Sequence, residues 1–123
     1  MIQIDDAGSG SLIGGTCIAA LRCETGEYYY EIIPPILYNE ENFKNKNYQY
    51  YATKIVKNAL NKLKVDKNED IEICQGYMFE DTRKYLKKHN YRFISTKIHD
   101  PLQSKIEQTF EEYSINLGLP RDF

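Results

Sequence analysis

The sequence has no tryptophan, two histidines, three cysteines and four prolines in 123 residues. Each scarcity narrows what the chain can be. Cys17, Cys23 and Cys74 are odd in number and form no CxxC pair, which argues against a disulfide framework or a structural zinc site. Three unpaired thiols fit a reducing compartment better than an oxidising one. His89 and His99 stand apart from other potential ligands, so both read as satisfied or exposed histidines rather than as parts of a zinc or acid–base centre. No apolar run approaches the ~20 residues that a membrane helix needs. The opening Met1-Ile2-Gln3-Ile4-Asp5-Asp6 lacks the basic-then-apolar pattern of a signal peptide. The expectation is a cytoplasmic protein without a membrane partner.

Cationic excess is also lacking. The net charge is −2, which argues against a strongly basic nucleic-acid binder but leaves room for a local basic face. Hydrophobic residues make up 41% and charged residues 28%, a globular rather than disordered balance. The length suits one domain spanning 1–123. Eleven tyrosines accompany many asparagines and lysines, a bias that reads as genomic rather than functional.

Three strands are expected first. Residues 1–6 enter the core, Thr16 to Leu21 is a short apolar run bounded by glycines, and Glu27 to Ile33 is aromatic and β-branched before Pro34-Pro35 ends it. The intervening Gly8, Gly10, Gly14 and Gly15 read as turns, because no GKS/T ending follows and the next element is a strand. Residues 36–47 read as a polar connection. Tyr48 to Leu63 repeats apolar residues every four positions, the spacing of an amphipathic helix. Ile71 to Tyr77 reads as a strand, 81–89 as a helix capped by Glu80 or Asp81, and Tyr91 to Ile98 as a fifth strand. Asp100-Pro101-Leu102-Gln103 combines a cap, a first-turn proline and a capping-box glutamine. The stripe Leu102, Ile106, Phe110, Tyr113 and Leu117 then marks a last helix, with Gly118 and Pro120 to end it. The order β-β-β-α-β-α-β-α predicts an α/β protein with a mixed five-stranded sheet and helices on its faces.

That order, with Ile4-Asp5-Asp6-Ala7-Gly8-Ser9 at the end of the first strand, resembles the ribonuclease-H-like superfamily of nucleases, resolvases and inactive relatives. The resemblance implies an active-site aspartate at the first strand. Asp6 fits that place best, with Asp5 as the alternative. It also implies magnesium or manganese ions clamping the oxygens of a phosphodiester, which needs several converging carboxylates. Active relatives would further carry an acid on the first long helix, one at the end of the fourth strand and one near the last helix. Here Tyr48 to Leu63 contains no acid, and the fourth strand ends in Cys74-Gln75-Gly76. Only Asp100 lies where a final acid could sit, and a resolvase-like set of Asp6, Glu80 and Asp100 is the remaining arrangement.

Each candidate also has a plain structural reading. Asp5 and Asp6 are adjacent on a strand and should point to opposite faces. Asp100 is explained as a helix cap, Glu80 and Asp81 as helix-start residues, and Cys74 as packing. The missing acids favour a non-catalytic interaction or nucleic-acid-binding module. A Mg- or Mn-dependent nuclease or resolvase-like phosphodiesterase, using Asp6 with Asp5, Glu80 or Asp100, is the alternative. Lys44, Lys46, Lys54, Lys57, Lys62 and Lys64 around the first helical region could hold nucleic acid, as could Arg83, Lys84, Lys87, Lys88 and Arg92 around the second. They also read as solvated helix faces. A homodimer through an exposed apolar sheet edge is a further partner option.

Overall fold

The computed structural model describes residues 1–8 and 15–116. Five strands form one sheet: β1 (Ile2–Ala7), β2 (Thr16–Arg22), β3 (Tyr28–Ile33), β4 (Asp70–Cys74) and β5 (Arg92–Thr96). The spatial order is β3-β2-β1-β4-β5. β1 pairs antiparallel with β2 and parallel with β4, and β4 pairs parallel with β5. The α-helices among the described residues are α1 (Glu40–Lys44), α2 (Asn47–Lys62), α3 (Glu80–Lys88) and α4 (Leu102–Asn116). This α/β architecture with a mixed sheet is the expected one and is consistent with a ribonuclease-H-like topology. No helix among the described residues is long and apolar enough to cross a membrane.

β2 is buried along almost its whole length, which its unbroken apolar run requires. Its pleat divides that run between two cores. Ile18 and Ala20 join Ile2, Ile4, Ile71 and Ile73 under α2 and α3. Cys17, Ala19 and Leu21 join Ile98, Leu102 and Ile106 under α4. Tyr28 and Tyr29 follow the same alternation. The Tyr28 hydroxyl meets Thr109 Oγ1 on α4 at 2.8 Å, while Tyr29 lies against the α2 core. Burying Leu102 and Ile106 contributes roughly 2 kcal/mol each to seating α4.

A buried side chain in the middle of β1 fixes where α4 begins. Gln3 is 2% exposed; its Oε1 accepts the Leu102 N–H at 3.0 Å, and its Nε2 donates to the His99 carbonyl at 3.3 Å. One amide thus satisfies a free donor in the first turn of α4 and a carbonyl just before it. Asp100 reinforces the start, but its Oδ1 takes the backbone N–H and the hydroxyl of Ser104 at 2.9 and 2.7 Å, in place of a box closed by Gln103.

Other boundaries also differ from expectation. The connection read over 36–47 is structured: a short 3-10 turn over Pro35–Tyr38 leads into α1, which Asn39 caps through the Asn42 N–H. β4 stops at Cys74, four strand-forming residues after Asp70, and a 3-10 turn over Tyr77–Phe79 leads into α3. Neither Glu80 nor Asp81 caps α3. Its cap position is Phe79, and Asp81 Oδ2 accepts the Thr53 hydroxyl of α2 at 2.7 Å. The helical regions read from sequence as first and second are therefore α2 and α3. Leu117, Gly118 and Pro120 lie outside the described residues, as does the glycine-containing segment 9–14.

Replacing Gln3 with Leu keeps the volume but strands the Leu102 N–H and leaves the His99 carbonyl with only the Gln103 N–H, at 3.3 Å. The expected loss is about 2–3 kcal/mol in urea unfolding, without loss of the sheet's circular-dichroism signal. Stability within about 0.5 kcal/mol of wild type would show that this amide does not hold α4.

Candidate functional site

In open α/β sheets, ligands sit beyond the carboxyl ends of the strands, where the strand order switches direction. Here the chain runs outward from β1 through β2 and β3, then restarts on the other side of β1 with β4. A cleft of about 580 Å³ opens at this place. Its floor is the carboxyl ends of the three parallel strands: Asp5 to Gly8 at the end of β1, Cys74 and Gln75 at the end of β4, and Lys97 and Ile98 after β5. Its roof is α4, from which Gln103, Ile106, Glu107, Phe110 and Glu111 face in.

The close approach of floor and roof explains Gly8. A Cβ there would lie 2.3 Å from the Phe110 ring, and the residue has φ +86°, a conformation that L side chains avoid. Gly15 is held against α4 in the same way, with a Cβ position 2.7 Å from the Tyr113 hydroxyl.

Asp5 and Asp6 both line the cleft although they are neighbours on a strand. The Asp6 N–H donates to Asp5 Oδ1 at 2.8 Å, so the Asp5 carboxyl lies back along the strand towards Asp6. Ligand atoms of Asp5, Asp6 and Cys74 all lie within 4.8 Å of one another. The expectation that the two aspartates serve different faces does not hold at this strand end: β1 stays in regular register with β2 through Ala7, yet both carboxyl groups reach the rim of the sheet where the cleft opens.

Burial, more than any other cause, raises the Asp5 carboxyl to about 6; the charges of Asp6 and Glu107 push the same way, and the Asp6 N–H opposes them. Burial also raises the Cys74 thiol to about 11, aided by the charges of Asp5 and Asp6. At neutral pH the thiol therefore keeps its proton and is a poor nucleophile.

The other sequence candidates are placed elsewhere. Asp100 is exposed at the start of α4 and does not line the cleft, where its bonds to Ser104 hold its carboxyl below the usual range. Glu80 opens α3 and lies outside the cleft lining. Two acids that sequence reasoning missed, Glu107 and Glu111, come instead from α4. Their spacing of four was the available signal, since i and i+4 share one helix face. The apolar stripe Leu102, Ile106 and Phe110 shows which face turns inward, and Glu107 and Glu111 each follow a stripe residue by one.

Asp5 gives the site a pH signature. Its folded-state value lies above the ordinary 3.8, so its contribution to stability is present below about pH 4 and is lost as pH rises through about 6. Asp5→Asn removes the ionisation and keeps an acceptor for the Asp6 N–H. After discounting for partial exposure, the variant is expected to be more stable than wild type by roughly 1–2 kcal/mol near neutral pH. Thermal melts over a pH series should show the gap closing as pH falls towards 4. An Asn variant that is less stable at every pH would contradict this reading.

No protein-family model matches the chain, and no curated protein is significantly similar to it.

Proposed function

We propose that the chain is a ribonuclease-H-like domain that binds a divalent cation at Asp5 and Asp6 and receives a phosphate-bearing ligand in the cleft beneath α4. One observation carries this reading: four carboxylates, Asp5, Asp6, Glu107 and Glu111, reach a single cleft at the carboxyl ends of three parallel strands.

The donor set fits a hard cation. Magnesium and manganese take oxygen ligands and keep several waters, so a roomy cleft lined by carboxylates suits them better than a closed cage would. Cys74 keeps its proton at neutral pH and adds no thiolate, so the preference for manganese rests on magnesium's stricter octahedral geometry and reluctance to lose water. A bound cation would offset the repulsion among the carboxylates and draw phosphate oxygens to them. Lys97, on the cleft wall, supplies a further positive charge for such a ligand.

A metal-dependent phosphodiesterase is the catalytic form of this proposal. A non-catalytic relative with the same cleft is the second reading, and two observations favour it. α2 carries no acid, and β4 ends in a protonated thiol where a carboxylate would complete the set.

Calorimetric titration tests the proposal. Manganese should bind saturably to the wild type, more tightly than magnesium, and at least ten-fold more weakly to Asp6→Asn and to Glu107→Gln. No binding of either ion at millimolar concentration would overturn it. Incubating the manganese-loaded protein with labelled single- and double-stranded nucleic acid separates the two forms: strand cleavage lost in Asp6→Asn supports the catalytic one, and intact strands support the other.

A further inference from the structure

The chain's charge is divided between the two faces of the sheet. α2 contains Lys54, Lys57 and Lys62 and no acid, and α3 contains Arg83, Lys84, Lys87 and Lys88 against Glu80 and Asp81. These two helices together carry +5 in a chain whose net charge is −2, leaving −7 for everything else. Both helices cover the same face, whereas the cleft's roof, α4, carries Glu107, Glu111 and Glu112 against Lys105 on the other.

The positive charge converges where the helices meet. Lys57 of α2 and Lys84 and Lys88 of α3 line a groove of about 310 Å³, with Tyr85 and His89 beside them. All three lysines are exposed. Lys57 is held in place, its Nζ 4.7 Å from the centre of the Tyr85 ring, and that ring lies 4.3 Å from the His89 ring. The groove's acid, Asp81, is engaged by the Thr53 hydroxyl at 2.7 Å, and that hydroxyl also meets Thr82 Oγ1 at 2.9 Å. The groove is therefore built on two helices tied together beneath it.

We infer that this groove is a docking site for the phosphate backbone of a nucleic-acid strand, separate from the acidic cleft. A polyanion matches three lysines on rigid helices, and Tyr85 and His89 add planar faces of the kind that accompany such grooves. An anionic membrane is the poorer fit, because surface-bound helices insert large apolar side chains beside their lysines. None of the exposed large hydrophobic residues of the described chain lines this groove. The docking needs no cation, so it stands independently of the metal reading.

The test is fluorescence anisotropy of a labelled single-stranded oligodeoxynucleotide, titrated with the full chain in EDTA over a salt series. Three phosphate contacts should give a slope of log K against log salt of about −2. Lys57→Glu/Lys84→Glu/Lys88→Glu should weaken binding at least ten-fold at low salt, while Lys105→Glu, on the opposite face, should leave it unchanged. If the triple variant does not fold, Lys84→Gln/Lys88→Gln should flatten the slope by about 1.4. Absence of binding at low salt, an unchanged slope in the Gln pair, or binding to phosphatidylserine vesicles without binding to the oligonucleotide would each overturn the inference. None of these outcomes bears on manganese binding at Asp5 and Asp6, because the assay contains no free metal.

Discussion

The contact between the Gln3 amide and the start of α4 is the constraint on which the cleft depends. β1 is central in the sheet and buried over its first half, so the polar Gln3 there is taken out of water and must find partners. Gln3 finds them in the Leu102 N–H and the His99 carbonyl. That pins the helix over the strand that carries Asp5 two residues later. Leu102 and Ile106 then fix the rotation of α4, which leaves Glu107 and Glu111 facing the cleft. Gly8 permits the final approach, since any side chain there would meet Phe110. Two hydrogen bonds, two apolar anchors and a missing Cβ together bring acids from distant parts of the chain to one cleft.

The sheet also acts as an electrical divider. Acidic residues gather at the carboxyl end of the sheet under α4, and the lysines of α2 and α3 lie across it. This separation reconciles a chain of net charge −2 with a strongly positive face, which total charge alone hides. The basic helices are also tied to the scaffold. Thr53 links α2 to Asp81 and Thr82, and the Arg83 guanidinium donates to the carbonyls of Cys74 and Gly76 at 3.0 and 2.9 Å. Arg83 is thus committed to holding the turn between β4 and α3, although by sequence it is one more member of a basic cluster.

Elements whose side chains repeat at the period of their backbone were legible. The buried run of β2, the four-residue spacing of α2 and the stripe of α4 each reflect a face that has to leave water, and composition along the chain records that directly. Ends of elements were less legible. β4 was read three residues too long because Gln75 and Gly76 do not by themselves mark a stop. α1 was missed because five residues are too few to show a period, and its cap at Asn39 sits in a polar stretch that reads equally well as a loop.

The site divides along the same line. The sequence by itself determined the order of elements, the mixed sheet that follows from it, and the presence of paired aspartates where the first strand ends, since these depend on local pattern and on short-range chain geometry. Only the tertiary structure decided which acids meet. Asp5 and Asp6 hold their carboxyl groups close together at the end of β1, Glu107 and Glu111 line the same cleft from about a hundred residues away, and Glu80 and Asp100 lie outside it. The reason is physical: convergence in a cleft is set by how a helix is rotated and seated on a sheet, and that follows from a few long-range contacts, such as Gln3 with Leu102, that leave no periodic trace in the chain.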